Sequence, residues 1–235
     1  MKGFSFVVLL FCGYALGNTI NNIRLIDHTS YVLDMIGKTI EAVEEREWCN
    51  LKLPEFTQEF REDIITHNVT AKVKYTNGFV TSIQHLDIEQ SSVQQVWLHD
   101  RVKNVTNLTV RGRLRMFGVK VGYDVEADLN DGEHRYTAEF VHPMISFMFS
   151  VIQDVNKDEG MKTVVEATIP NTLAANRPHL TPVDHTSNVI AIMYNFQTIT
   201  AEGMKAWGPD VFEPIARDLV DHEIKFPTIC FNCPA

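Results

Sequence analysis

The spacing of apolar residues changes along the chain. From Ile23 to Glu47 they recur at helical intervals through Leu25, Thr29, Val32, Leu33, Ile36, Ile40 and Val43. The opposite face carries Asp27, Asp34, Lys38 and the cluster Glu41, Glu44, Glu45 and Glu47. That periodicity predicts an amphipathic helix. Leu53-Pro54 ends any continuation, because proline disfavours helical backbone in the residue before it. From Val69 the period is two: Val69, Ala71, Val73 and Tyr75 alternate with Thr70, Lys72 and Lys74. Thr76-Asn77-Gly78 has the residues that tolerate positive φ, so it predicts a hairpin turn and a return strand over Phe79 to Ile88.

A second set of strands follows. Leu108, Val110, Leu114 and Met116 alternate with Thr109, Arg111, Arg113 and Arg115. Phe117, Val119, Val121, Tyr123, Val125, Ala127 and Leu129 then take the odd positions. The switch from even to odd marks a bulge or tight turn at Met116-Phe117-Gly118. Thirteen residues of alternation from Phe117 to Leu129 span roughly 43 Å, which implies an elongated sheet. Asn130-Asp131-Gly132 reads as the next turn. Tyr136, Ala138 and Phe140 then lead to Ile145, Phe147, Phe149 and Val151, which pair through residues 156–160 with Met161 to Ile169. Pro170, Pro178 and Pro182 hold an irregular connection. Beyond it, the segment Val189 to Phe196 is apolar without a clear period. Val211, Phe212, Ile215, Ala216, Leu219, Val220 and Ile224 form a helical stripe after Gly208-Pro209.

The N-terminus changes the setting of this domain. Lys2, the apolar run Phe6 to Phe11 and the small residues ending at Gly17 have the three-part form of a secretory signal, so residues 1–17 are expected to be removed and 18–235 to form one domain outside the cell. The apolar run is too short to span a bilayer, and no stable membrane anchor is expected. Asn68-Val69-Thr70, Asn104-Val105-Thr106 and Asn107-Leu108-Thr109 are N-glycosylation acceptor triplets, which fits export. With Cys12 in the leader, Cys49, Cys230 and Cys233 remain, an odd count that implies one disulfide and one further thiol, or an intermolecular link. Either tail cysteine is a candidate to meet Cys49.

The net charge of −9 becomes −10 when Lys2 is lost with the leader, which argues against a nucleic-acid partner. No nucleophile elbow, zinc-protease helix, phosphate-cradling loop or dinucleotide fingerprint is present, so no catalytic residue, metal or cofactor is assigned and the chain reads as non-enzymatic. His179, Asp184 and His185 lie close in sequence but read as loop surface groups. Arg111, Arg113 and Arg115, extended by Lys103 and Lys120, either solvate an outer sheet face or offer a cationic stripe to an anionic partner.

The pattern of an N-terminal amphipathic helix, Gly78-Phe79-Val80 with Leu86-Asp87-Ile88, Leu114-Arg115-Met116-Phe117 with Val119-Lys120-Val121-Gly122-Tyr123, and a C-terminal amphipathic helix resembles the group 7 mite allergens and their arthropod relatives. That family is similar to one half of the bactericidal/permeability-increasing protein fold, within a tubular lipid-binding superfamily that includes juvenile-hormone carriers. The resemblance implies an α+β fold in which a long, strongly curved antiparallel sheet wraps a C-terminal helix, with a lipid or another elongated hydrophobic ligand between them. On that reading the ligand contacts are Phe117, Val119, Val121, Tyr123, Phe147 and Phe149 from the sheet, faced by Phe212, Ile215 and Leu219. The alternative is a secreted interaction or immune-recognition module that acts through its outer surface.

Overall fold

The computed structural model describes residues 23–47, 51–64, 67–103, 105–130, 132–156, 160–169, 178–194 and 200–231. Two very long strands, β5 (Val105–Leu129) and β6 (Gly132–Asn156), form its spine and pair antiparallel along their whole length. At about 3.3 Å per residue, each is roughly 80 Å along the chain. β2 (Phe56–Ile64) and β3 (His67–Ser82) extend the sheet beside the C-terminal half of β5, and β4 (His85–Asp100) flanks its N-terminal half. Across β6 lie β7 (Gly160–Thr168) and the short β8 (His179–Thr181). A separate pair, β1 (Ile23–Leu25) and β9 (Ile229–Phe231), ties the two ends of the described chain together.

The even-to-odd switch predicted in β5 is present as a kink inside one continuous strand. Gly118 has φ +56°, a left-handed conformation that suits glycine because it carries no Cβ. Buried residues take even positions from Leu108 to Met116 and odd positions from Val119 to Ala127. β6 changes phase on the opposite rung, at Pro143, between His142 and Ile145. A proline there has no N–H to contribute to the ladder.

The Thr76-Asn77-Gly78 hairpin does not form. β3 runs through it, and the register against β5 shifts between Thr76 and Phe79. Asn77 has φ +53°, but Gly78 is not left-handed, whereas a two-residue hairpin turn of the predicted type needs positive φ at both positions. One left-handed residue makes a bulge, so the chain reverses later, at Ile83-Gln84. The N-terminal helix is also shorter than predicted: α1 spans His28–Glu45, and Ile23–Leu25 pairs as β1 instead.

The expected sheet wrapped around a C-terminal helix is corrected by the structure. Antiparallel sheet dominates, and it is open: its path runs β2-β3-β5-β6-β7, and its ends do not pair. The C-terminal segment forms α3 (Glu202–Trp207), a π-helical turn over Gly208–Phe212 and α4 (Glu213–His222), and the predicted stripe begins inside the π turn. α4 is about 15 Å long, far too short to fill a sheet built on strands of 25 residues. It packs on β7 and on α1, while α1 lies against β4 and β5. α2 (His185–Met193) is helical where the sequence period was unclear.

The division of the C-terminal segment has a local cause. A Cβ at Gly208 would lie 1.9 Å from the Ala167 carbonyl oxygen, so this helix turn touches the β7 backbone directly. Pro209 then lacks the N–H that an α-helical ladder would use. The wider π turn that results carries Phe212 onto the sheet, and Glu213 accepts a hydrogen bond from the Ala167 N–H at 2.9 Å.

Candidate functional site

Eight of the nine predicted ligand contacts fall in one buried cluster: Val119, Val121, Tyr123, Phe147, Phe149, Phe212, Ile215 and Leu219. They meet one another and their neighbours, the aromatic ones through ring contacts. Phe147 and Phe212 stand edge to face with centroids 4.7 Å apart, and Phe149 lies 5.8 Å from Phe212. In the other half of the sheet, Tyr123 contacts Phe140 at 6.0 Å and Tyr75 at 5.9 Å, and Tyr194 approaches Tyr75 at 5.3 Å. Burial raises the hydroxyl pKa of Tyr75, Tyr123 and Tyr194, so all three stay protonated across the physiological range. Phe117 is the exception. It is half-buried outside this cluster, stacked on His85 at 5.9 Å with the Arg115 guanidinium 5.7 Å above its ring.

The open depressions lie elsewhere. One of about 740 Å³ runs between the start of α1 and residues 223–228, lined by Asp27, Tyr31, Asp34, Glu223 and Phe226 among others. Others lie over the charged rows of β3, β5 and β6, around Lys72, Glu126, Asp128 and Arg135. None of the nine predicted contacts lines them.

Two of the three arginines of the stripe are neutralised by the neighbouring strand, and the third is hydrogen-bonded to it. Arg113 donates to the Glu89 carboxylate at 3.1 Å, Arg115 pairs with Asp87 and lies 3.6 Å from Glu89, and Arg111 donates to Gln94 at 2.7 Å. Lys120 pairs with Glu139 at 2.9 Å. Such cross-strand pairs satisfy an outer sheet face and leave little cationic field for a partner.

The tip of the β4–β5 hairpin differs. Leu98 is 62% exposed and Val102 95% exposed, and Arg101 and Lys103 alongside them are exposed. Neither of these cations forms an ion pair with a described residue. The turn is held by Asp100, whose Oδ1 accepts from the backbone N–H of Val102 at 2.8 Å and of Lys103 at 3.1 Å. Those backbone hydrogen bonds, from Lys103 first and Val102 second, hold the Asp100 carboxyl below its ordinary range. Behind the tip, Trp97 is half-buried and donates its indole N–H to Gln95 Oε1 at 3.3 Å, which also accepts from the Leu25 N–H. Sequence reasoning passed over this tip because Leu98 and Val102 belong to no periodic set; two apolar residues bracketing a basic turn were the available signal.

The remaining predicted groups are placed as follows. Asp184 is the N-cap of α2, not a metal ligand; it accepts from the Ser187 N–H at 2.6 Å and from the Tyr136 hydroxyl at 2.9 Å. No group of His, Cys, Asp or Glu among the described residues is arranged to hold a metal. Cys230 lies in β9 and is disulfide-bonded, while Cys49 and Cys233 lie outside the described residues. Residues 1–17 and Asn104 also lie outside them, and Asn68 falls in β3. Asn107 is in β5, directly opposite Leu98 on β4 and Asp154 on β6. No described helix is long and apolar enough to cross a membrane.

No family model matches the chain, and no curated protein matches it. Among solved structures the chain is similar to a crystal structure of lipopolysaccharide binding protein, with a TM-score of 0.47 and 9% identity over 86% of this chain. The chain spans 40% of the length of that protein.

Proposed function

We propose that this chain is a secreted, non-enzymatic lipid-binding protein that touches lipid surfaces through the tip of its β4–β5 hairpin. The observation that carries the reading is the tip itself: Leu98 and Val102 stand in solvent beside Arg101 and Lys103, which form no ion pair with a described residue. Apolar side chains grouped in solvent and rimmed by charge mark interaction surfaces, which scattered exposed ones do not. A bilayer interface covers both kinds of group at once. Burying a Leu or Val side chain is worth about 1.5–3 kcal/mol, and each cation near an anionic surface about 1 kcal/mol. The chain is acidic overall, so a basic tip also orients it, keeping the rest of the molecule away from anionic head groups.

The aromatic contacts of Phe147 and Phe149 with Phe212 favour the tip over a slot between sheet and helices, since these fully buried side chains already partner one another. The arginine stripe is a poorer candidate because Asp87, Glu89 and Gln94 occupy it. The test is flotation of the full chain with vesicles of phosphatidylcholine containing a minority of phosphatidylserine. Leu98→Asp with Val102→Asp should abolish flotation while the circular dichroism spectrum and melting temperature stay those of the parent. Undiminished flotation of that folded variant would refute the tip assignment.

A further inference from the structure

Asn107 is on the third rung from the turn of the β4–β5 hairpin. Its backbone partner on β4 is Leu98, and directly opposed residues on one face have Cβ atoms about 4.5–5.5 Å apart. Asn107 therefore shares the outer row with the leucine that docking needs. Asn107 is half-buried, and its enclosed side-chain oxygen has no hydrogen-bond partner among the described residues, so no neighbour there holds that carbonyl. Thr109, the hydroxyl residue of the acceptor triplet, is two positions along the strand and on the same face.

We infer that Asn107 is a glycan acceptor whose occupancy turns docking off: the glycosylated chain stays away from lipid surfaces and the unglycosylated chain binds them. The inference rests on the tip docking proposed above. The modification forms a bond between Asn107 Nδ2 and the anomeric carbon of an oligosaccharide. Nδ2 loses one proton, and the bond from that carbon to its lipid-linked diphosphate donor breaks, the diphosphate leaving with the electron pair. A hydrated sugar rooted beside Leu98 keeps that side chain from entering the acyl region, since the polar sugar would have to be desolvated with it.

The experiment uses the full chain secreted from a glycosylating eukaryotic host, with Asn68→Gln and Asn104→Gln so that Asn107 is the remaining acceptor. Forms with and without glycan are separated on a lectin column, their occupancy is read by mass spectrometry, and each is floated with phosphatidylcholine vesicles containing a minority of phosphatidylserine. The glycosylated form should bind at least about tenfold less, the effect of withholding one leucine from burial. Asn107→Gln should float like the unglycosylated form. Equal flotation of the two forms, or a secreted chain that never carries a glycan at Asn107, overturns the inference alone. If Asn107→Gln itself fails to float, the tip docking falls and the switch falls with it.

Discussion

The Phe212 ring meets Phe147 edge to face, with centroids 4.7 Å apart and planes at 74°. Both side chains are fully buried, and Phe149 closes the group at 5.8 Å from Phe212. This contact joins the π-helical turn to the middle of β6, so it holds the C-terminal helices on the sheet. Phe212→Ala should cost about 3–5 kcal/mol in urea denaturation, the usual range for deleting a buried aromatic ring. Phe147→Asp should prevent folding altogether, because it buries an unpaired carboxylate among rings. A folded Phe147→Asp protein with near-parental stability would show that water or ligand already has access to this place.

Gly208 gives a second check on the same seam. With the Ala167 carbonyl oxygen 1.9 Å from a built Cβ, Gly208→Ala has no side chain to push aside and must separate helix from strand. The expected loss is about 1–3 kcal/mol, as for other overpacked positions. It should be read as a fall in the urea midpoint with the slope of the transition unchanged. A neutral substitution would mean that the helix does not press on β7 here.

The cap of α2 gives a pH-dependent prediction. Burial raises the Asp184 carboxyl, but the Ser187 N–H, the Tyr136 hydroxyl and the Ser187 hydroxyl together outweigh it and leave the group below its ordinary value of 3.8. A lowered folded-state value means that the stability from this carboxylate is fully present above the unfolded value. It is lost as pH falls through the folded one. Asp184→Ala should therefore cost about 1 kcal/mol near neutral pH, the usual worth of an N-cap. The cost should shrink below pH 3.8 as the parent loses the same charge. Thermal melts of both proteins at several pH values check this, and a cost that stays constant to the lowest pH would remove the carboxylate from the account.

What the sequence revealed and what it hid follow from the range of the interactions. The phase change at Gly118 was legible because alternation is a local property of the strand, and the β6–β7 hairpin was legible for the same reason. The β3 bulge at Asn77 was not, since an Asn-Gly pair serves a turn or a bulge equally well and the choice depends on β2 and β5 lying beside it. The nine apolar candidates were placed on inward-facing positions, correctly for all but Phe117, yet inward-facing says nothing about whether space is left between them. Phe117 is at the kink, where inward and outward exchange. The arginine stripe showed its outward face in sequence, but its partners Asp87 and Glu89 come from a strand whose register only the fold supplies.

The two basic sets of this chain should respond oppositely to charge change. Arg113 and Arg115 already face carboxylates at partly exposed positions, where an ion pair is worth about 0–1 kcal/mol. Arg113→Gln should lower stability by no more than that and leave vesicle flotation as it was. Arg101 and Lys103 form no ion pair with a described residue, so Arg101→Glu with Lys103→Glu should change stability little and weaken flotation. Each reversal withdraws about 1 kcal/mol of attraction and adds repulsion. The loss should be largest at low ionic strength and fade as salt screens the surface over a Debye length of about 8–10 Å. The deciding measurement is flotation of parent, Arg113→Gln and the tip double variant across a salt series. If the stripe variant rather than the tip variant loses binding, the lipid-facing surface is the outer face of β5 and the tip is not the point of contact.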